Sequence, residues 1–178
     1  MASSTSASNW YRTTRCKGYI DGRSVRVPTV VVRPGAPNGA ASGFASGIVR
    51  EPLAGKPAVL PVDPSTEMWI ASPGAVISML RHAIELDATD WGWLRSLNLP
   101  GLTVSMSEAL DALARVGGPE VRSRVSQRPD PGIERLVRGW AGRFDTARAR
   151  SMGFVADPDF ESIIRAYMAE NPDAIAAP

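Results

Sequence analysis

The segment from Val27 to Arg50 reads VPTVVVRPGAPNGAASGFASGIVR, and it decides the predicted fold. Its β-branched run, Val30–Val32, is typical of a strand buried on both faces, as in a parallel sheet. Arg33-Pro34-Gly35 ends the strand, because proline cannot continue a ladder and glycine permits a sharp turn. Small residues from Ser42 to Arg50 then predict a short helix, which Arg50-Glu51-Pro52 ends. Open α/β sheets bind ligands at such strand–loop–helix junctions; the other interpretation is an ordinary connection.

The composition is that of an ordinary soluble globular domain. Of 178 residues, 44% are hydrophobic and 21% are charged, and this length can bury a sizeable core. The 20 basic and 18 acidic residues leave a net charge of +2, which gives no global electrostatic basis for binding nucleic acid or membrane. No apolar run approaches the roughly 20 residues of a membrane-spanning helix. The only cysteine, Cys16, excludes an internal disulfide, and a cytoplasmic location is expected.

No metal site is predicted. The chain has one histidine, one cysteine and scattered carboxylates, and these offer no ligand spacing. The histidine, His82, lies in a predicted helix without a carboxylate beside it that suggests a proton relay. A structural role is therefore expected for this side chain.

Predicted strands and helices alternate through the middle of the chain. Strands are predicted over Ala58–Val62, Glu67–Ser72 and Leu97–Leu99, and Val121–Val125 is a further candidate. A second helix begins at the capping box Ser105-Met-Ser-Glu108, in which the serine caps first-turn amides and the glutamate reaches back to the cap amide. The helix that begins at Ser72-Pro73 has an apolar face with these predicted members: Val76, Met79, Leu80, Ala83 and either Leu86 or Ile84.

The last third of the chain is rich in arginine. Nine arginines and four acids lie between Arg115 and Arg150. One interpretation is a basic patch for phosphate or nucleic acid; the other is a solvated face, which the i,i+4 pair Glu134 and Arg138 favours. Trp140 is expected in the core, because it shares a helical stripe with these residues: Ile133, Leu136 and Val137.

The final helix is predicted to begin with Asp157 as its cap and Pro158 at its first position. Its apolar stripe follows helical spacing and has these members: Phe160, Ile163, Ile164, Tyr167 and Met168. Pro172 ends the helix.

Several motifs occur in a specific order and spacing. Val-Val-Arg-Pro-Gly-x-Pro-Asn38 is followed by Phe44-Ala-Ser-Gly-Ile-Val-Arg-Glu-Pro-Leu53 and by Asn98-Leu-Pro-Gly-Leu-Thr-Val104. The terminal part adds Asp145-x-x-Arg148, Met152-Gly-Phe154 and Asp157-x-x-Phe160. Together they resemble the C-terminal half of an extended short-chain dehydrogenase/reductase, of the NAD-dependent epimerase/dehydratase family. The resemblance runs from about Gly18 to Asn171.

The resemblance implies an α/β fold: a remnant of the C-terminal edge of a Rossmann-type parallel sheet plus a small mixed α/β substrate-binding lobe. Residues 1–17 are then a disordered or non-family leader, 18–172 the family's C-terminal half, and 173–178 a tail. Members of the family carry a Gly-x-x-Gly-x-x-Gly dinucleotide fingerprint and a catalytic Tyr-x-x-x-Lys. Neither motif is present in the sequence. At the position of the motif's lysine, Tyr11 is followed by Arg15 and Tyr19 by Arg23.

The expected function is accordingly that of the substrate-binding portion of an NAD-dependent sugar-acid oxidoreductase, inactive alone and without a catalytic residue of its own. NAD is the cofactor of the full-length family, and this chain alone is not expected to bind it. The resemblance places Pro34 and Gly35 against the cofactor's nicotinamide. It assigns these residues to the substrate: Asn38, Ser42, Phe44, Arg50 and Trp69.

Two of these residues keep a second interpretation. Arg50 binds an anionic group of the substrate, such as a carboxylate, or it pairs with Glu51 or solvent. Trp69 closes the pocket or belongs to the core. The family's acidic pair after the second strand is replaced here by Ala71-Ser72-Pro73-Gly74, so nucleotide-sugar specificity does not transfer directly.

Two other classes of function compete with this one. The first is a binding or regulatory module that docks on a full-length homologue or self-associates, since missing sheet partners would leave Val30–Val32 as an exposed apolar edge. The second is arginine-driven binding of nucleic acid, which the near-neutral charge argues against.

Overall fold

A computed structural model describes residues 20–35 and 40–176. The predicted leader 1–17 and Asn38 lie outside these residues. The strands of the described part are β1 Ser24–Arg26, β2 Thr29–Val30, β3 Ala58–Leu60, β4 Glu67–Ala71, β5 Ser96–Asn98, β6 Leu102–Ser105 and β7 Val125–Gln127.

The helices alternate with these strands. They are α1 Gly43–Leu53, α2 Pro73–Glu85, α3 Ala88–Trp91, α4 Met106–Gly117, α5 Pro119–Ser123, α6 Pro131–Arg138, α7 Ala147–Ser151 and α8 Phe160–Glu170, followed by a 3-10 turn, Pro172–Ala174. None of the helices in the described ranges is long and apolar enough to cross a membrane.

The strands pair mainly in parallel. β1 pairs with β5, β2 with β4 and β3 with β7, all parallel, while β6 adds to β4 antiparallel. Parallel pairing requires long crossover connections, and α2 and α4 lie within two of them. The predicted α/β class with a Rossmann-type parallel sheet and a mixed lobe is therefore confirmed.

The valine run lies between two hydrophobic cores. Val30 packs against the core that includes Met79 of α2, whereas Val31 and Val32 belong to the core that includes Ile48 of α1. Val30 and Val31 thus contact opposite cores, as successive side chains of a strand do, whereas Val32 lies beyond the strand and belongs to the same core as Val31. Only Thr29–Val30 is formal strand, although the Val31 amide still donates to the Ala71 carbonyl at 2.9 Å.

The prediction that Val30–Val32 forms an exposed apolar edge is wrong. Val31 and Val32 are 1% and 2% exposed, because α1 and β4 cover them within this chain. The described part of the chain therefore buries these two valines with its own residues.

Helix α1 extends one turn beyond the predicted end. Pro52 lies inside its last turn, and the helix continues to Leu53. Proline there removes one amide donor, but the amides of Ala54 and Lys56 still bond to the carbonyls of Arg50 and Glu51. The loss of one bond is therefore too small to end the helix.

The candidate strand Val121–Val125 is a helix for most of its length. Pro119–Ser123 forms α5, and β7 begins only at Val125. Pro119 occupies the first helical turn with Glu120 beside it, which favours a helix start and outweighs the alternating valines and arginines. The capping box at Ser105 and Glu108 forms as predicted.

The final helix is capped by Asp159 rather than Asp157. The Asp159 carboxylate accepts from the amide of Ser162 at 2.7 Å. Asp157 instead accepts from the amide and the hydroxyl of Ser72, at 2.8 and 2.6 Å. Both carboxylates precede the apolar stripe, so the pattern could not assign the cap, and the bond to Ser72 depends on the tertiary fold.

The apolar stripes were predicted with mixed success. On α8, Phe160, Ile163, Ile164 and Tyr167 are buried as expected. On α2, by contrast, Leu80 and Ile84 are 38% and 79% exposed. Trp140 is also wrongly assigned to the core: it lies after α6 ends and is 42% exposed. Periodicity identifies a helix, but the width of its buried face depends on which elements surround it.

Candidate functional site

The loop after β2 is held on one side by helix α1. The Arg33 amide donates to the Ser46 hydroxyl at 3.2 Å, and the Arg33 carbonyl accepts from Arg50 Nη1 at 2.9 Å. Ser46 and Arg50 are both buried members of α1. Helix and strand are thereby joined where the chain leaves the sheet, immediately before Pro34 and Gly35.

The guanidinium of Arg50 also pairs with the neighbouring residue. Its Nε and Nη2 lie 2.9 and 2.8 Å from Oε1 of Glu51. The two side chains are 10% and 19% exposed, so this is an ion pair largely shielded from water. Pairing with Glu51 was one of the two interpretations of Arg50, although the residue is buried rather than on the surface. The donors used for Glu51 and Arg33 hold the guanidinium in one orientation.

A cavity of about 570 Å³ opens beside this loop. Gly35, whose φ is +96°, lies at its edge, a backbone conformation that side chains other than glycine rarely adopt. The cavity is lined by Gly35, Arg50, Glu51, Ala54, Lys56, Tyr167, Asp173, Ala174, Ile175 and Ala176. Cationic and anionic side chains both line it, so it offers charged hydrogen-bond donors and carboxylate acceptors to a ligand.

The sequence analysis did not identify all of the residues that line this cavity. The spacing of Tyr167 assigns it to a packing stripe, and Tyr167 is only 4% exposed, as expected. It also lines the cavity. Burial raises the pKa of its hydroxyl above the ordinary value for tyrosine. The turn after α8 brings Asp173 to the same cavity, and the Ala176 amide donates to the Leu53 carbonyl at 2.8 Å. No local signal marks these distant residues as neighbours.

Trp69 lies at a different cavity. It alternates along β4 with Met68 and Ile70, which belong to the core beneath α1, so its indole points to the opposite face. The ring is 8% exposed and stacks on Phe144, with ring centroids 4.1 Å apart. This second cavity, of about 430 Å³, is lined by Arg26, Val27, Thr29, Glu67, Met68, Trp69, Trp140, Ala141 and Phe144.

An ion pair borders the second cavity. Arg143 donates from Nε and Nη2 to the two carboxylate oxygens of Glu67, at 3.0 and 2.5 Å. This bidentate contact lowers the pKa of Glu67 below 4.5. Both side chains of the pair are exposed, so the edge of the cavity that they form stays in contact with water.

The structure brings together only some of the predicted site residues. Gly35 and Arg50 share one cavity, with Pro34 adjacent in the chain. Ser42 precedes α1 as its N-cap without making a side-chain cap bond, and Phe44 packs against the core beside α1. Trp69 is on the other face of the sheet, and Asn38 lies outside the described residues.

The close packing of Trp69 against Gly101 can be tested by substitution. A methyl group at Gly101 would lie 2.7 Å from the Trp69 Nε1 atom and from the Ile70 carbonyl oxygen. We expect Gly101→Ala to lower the free energy of unfolding by about 1–3 kcal/mol, because the indole and backbone must shift. Chemical denaturation measures this value.

Gly74 supplies the matched control. The nearest atom to an added Cβ there is the Ser72 hydroxyl oxygen at 4.0 Å, and Gly74 lies in α2. Gly74→Ala should leave stability unchanged or raise it by up to about 1 kcal/mol. Equal destabilisation by both substitutions would show that Trp69 is not held against Gly101.

Comparison with solved structures places this fold among known proteins. The structure titled nucleoside-diphosphate-sugar epimerase from Agrobacterium tumefaciens matches 91% of this chain and 47% of that chain, with a TM-score of 0.87 and 40% sequence identity. The chain therefore has the fold of the C-terminal half of an extended short-chain dehydrogenase/reductase, as its motifs predicted.

Comparison with curated protein sequences identifies relatives of a more specific kind. The chain is 45% identical over 152 residues to D-erythronate dehydrogenase of Cupriavidus necator, covering 85% of this chain and 47% of the relative. It is 37% identical over 152 residues to D-erythronate dehydrogenase of Haemophilus influenzae, covering 48% of that protein. No protein-family model matches. The chain is thus a homologue of part of D-erythronate dehydrogenase and spans about half the length of the curated relatives it matches.

Proposed function

We propose that this chain is the substrate-binding portion of an NAD-dependent sugar-acid dehydrogenase, located in the cytoplasm and without turnover of its own. The observation that carries the proposal is the loop Arg33-Pro34-Gly35, which α1 fixes at the carboxyl end of β2 beside an open cavity. Ligands of open α/β sheets bind at that end of the strands. Homology to proteins named D-erythronate dehydrogenase supports a small sugar acid as the ligand.

The cavity has the chemistry to hold such a ligand. Lys56 and Arg50 supply positive charge for a carboxylate, while Glu51 and Asp173 can accept hydrogen bonds from sugar hydroxyls. Since Arg50 already binds Glu51 and the Arg33 carbonyl, its main contribution is to hold the loop, and the proposed ligand contact uses the N–H groups outside these bonds. Ser42, Phe44, Asn38 and Trp69 stay as further proposed substrate contacts, assigned by resemblance.

The cofactor would meet this chain at the same loop. When bound in a complete family member, NAD supplies the hydride acceptor for oxidation of an alcohol. Pro34 and Gly35 are the residues proposed to contact its nicotinamide, where the absence of a side chain at Gly35 permits close backbone approach. This sequence contains neither a Gly-x-x-Gly-x-x-Gly fingerprint nor a Tyr-x-x-x-Lys motif, so no acid/base pair for the reaction is assigned to it.

Thermal unfolding and a turnover assay test this function together. D-erythronate should raise the melting temperature, by about 2–4 °C for each kcal/mol of binding free energy, while NAD alone should not. The uncharged analogue erythritol is the ligand control, because it lacks the carboxylate. NADH should not form from NAD and D-erythronate.

Two results would contradict the proposal. Equal shifts with erythritol and D-erythronate would show that the carboxylate is not recognised. NADH formation that depends on this chain would show that it is a complete catalyst rather than a binding portion.

A binding module that docks on a homologous full-length chain is the second candidate function. β1 pairs with β5 along one edge, and within residues 20–35 and 40–176 no strand pairs with its other edge. An open parallel edge accepts a further strand. Size-exclusion chromatography with light scattering, alone and with a full-length D-erythronate dehydrogenase, distinguishes the two: a stable complex supports docking, and a monomer in both samples argues against it.

A further inference from the structure

The hydroxyl of Tyr167 is a polar group without a partner in the described part of the chain. The residue is buried in the hydrophobic core that also contains Ile163 and Ile164. Its backbone carbonyl accepts from the backbone and side-chain amides of Asn171, at 3.0 and 2.9 Å. Its phenol, by contrast, forms no hydrogen bond within residues 20–35 and 40–176. Since buried polar groups in proteins are nearly always hydrogen-bonded, this hydroxyl needs a partner from outside the chain.

The phenol oxygen opens into the cavity beside Gly35. Tyr167 lines that cavity together with Arg50 and Glu51. Burial raises the pKa of the phenol, Arg50 lowers it and Glu51 raises it, so both charged groups lie near the oxygen. The oxygen is also not among the unpaired polar atoms that are closed off from solvent, of which Trp91 Nε1 is an example. The hydroxyl is therefore available to a molecule in the cavity.

Burial divides this cavity into an inner end and a mouth. Arg50 and Tyr167 are buried and Glu51 is partly buried, so these three form the inner end. Lys56 and Asp173 are exposed and form the mouth. Within the part of the chain that the structure describes, neither the Lys56 ammonium nor the Asp173 carboxylate has a partner.

The two ends suit different chemical groups. At the inner end, Arg50 and Glu51 neutralise each other, and a second carboxylate there would have to lose its water beside that of Glu51. A hydroxyl group fits better, because it can bond to the Tyr167 phenol and donate to Glu51. At the mouth, the Lys56 ammonium offers an unpaired cation to a carboxylate that keeps part of its hydration.

We infer that Tyr167 is the specificity-determining residue of this cavity: its phenol bonds to the terminal hydroxyl of a sugar acid whose carboxylate lies on Lys56. The inference rests on the proposed function and deepens it, because it orients the ligand and names the residue that recognises its hydroxyl end. A site built to bond a hydroxyl discriminates against an analogue without one, since the polar groups of the site are then left unpaired. The cavity thereby prefers hydroxylated acids to acids of the same length that end in a methyl group.

Isothermal titration calorimetry of the full chain with two ligands tests the inference. The ligands are D-erythronate and its 4-deoxy analogue, in which a methyl group replaces the terminal hydroxyl. The parent chain should bind D-erythronate about tenfold more tightly than the analogue. In the Tyr167→Phe variant the Kd for D-erythronate should rise about tenfold and that for the analogue should stay the same, so the preference disappears.

Thr103→Val is the matched control, because it also removes one hydroxyl. The Thr103 hydroxyl donates to the Gly142 carbonyl at 2.9 Å, and Thr103 does not line this cavity. Thr103→Val should lower the melting temperature by about 2–4 °C and leave both Kd values unchanged. Tyr167→Phe should leave the melting temperature of the ligand-free chain unchanged, because its hydroxyl stabilises no contact within the described residues. A purely structural role of Tyr167 would give the opposite pattern.

The contrary outcomes are distinguishable. If Tyr167→Phe kept the parent's preference for D-erythronate, the inference would be overturned and the proposed function would stand. Equal affinity of the parent chain for the two ligands would likewise show that the terminal hydroxyl is not recognised. Absence of D-erythronate binding to the parent chain would overturn the proposed function and, with it, this orientation of the ligand.

Discussion

Replacement of Arg50 by methionine should lower the free energy of unfolding by about 3–5 kcal/mol, as is usual when one partner of a buried ion pair is removed. The substitution leaves the Glu51 carboxylate without its cation and the Arg33 carbonyl without its donor, while the aliphatic volume is kept. Urea denaturation of the parent chain and the variant measures the difference.

A matched pair elsewhere calibrates this result. Arg81 and Glu85 form an i,i+4 pair at 3.4 Å whose side chains are 76% and 61% exposed. Arg81→Met should change stability by no more than about 0.5 kcal/mol, because exposed pairs contribute little. Similar losses in both variants would mean that burial of Arg50 does not strengthen its contacts.

A double-mutant cycle then separates the ion pair from the loop contact. Glu51→Gln combined with Arg50→Met should destabilise by less than the sum of the single changes, with a coupling of about 1–3 kcal/mol. Strict additivity would indicate that Arg50 acts through the Arg33 carbonyl alone.

Truncation of Ile164 to alanine is expected to cost about 3–4 kcal/mol of unfolding free energy. Ile164 is fully buried on α8 and belongs to the same core as Val31 and Ile48. Removing three buried carbon atoms loses transfer free energy and leaves a cavity that rigid neighbours cannot fill. Thermal or urea unfolding measures the loss.

Val155 provides the comparison for this core substitution. It precedes α8 and is 72% exposed, so Val155→Ala should alter stability by no more than about 0.5 kcal/mol. If Ile164→Ala were as mild, α8 would be an appendage and not part of the core that supports the cavity.

Features fixed by local contacts could be predicted from the sequence. The capping box of Ser105 and Glu108 needs only residues within one turn, and it forms as expected. The valine run after Thr29 contacts a hydrophobic core on each side, as its β-branched composition predicted. The parallel sheet class and the resemblance to an epimerase-type fold follow from motif order and are also confirmed.

Features that depend on distant segments could not be predicted in the same way. Asp157 is an ordinary helix cap by its sequence, yet its carboxylate binds Ser72, 85 residues away. Trp140 fits a helical stripe, but α6 ends before it and leaves the ring half-exposed. In both positions the local pattern is compatible with two structures, and only the tertiary fold selects one.

In the candidate site as well, local features could be predicted from the sequence and contacts between distant segments could not. The loop at Pro34 and Gly35 was predicted from a local pattern, and Arg50 was singled out with Glu51 as one possible partner. The contact of Arg50 with the Arg33 carbonyl, and the approach of Tyr167 and Asp173 to the cavity, join segments far apart in the chain. The opposite orientation of Trp69 follows from the phase of β4, which its two neighbours in the core define.

The parallel strand pairs described above have a consequence for the time course of folding. Ser24 pairs with Ser96 and Ala58 with Val125, so each pairing must close a loop of dozens of residues before it gains any stability. Chains dominated by such distant contacts fold slowly, whereas helices such as α4 form early from local bonds. During that interval the unpaired strands and the valine run are open to other molecules. Refolding yield should therefore fall steeply as the protein concentration is raised.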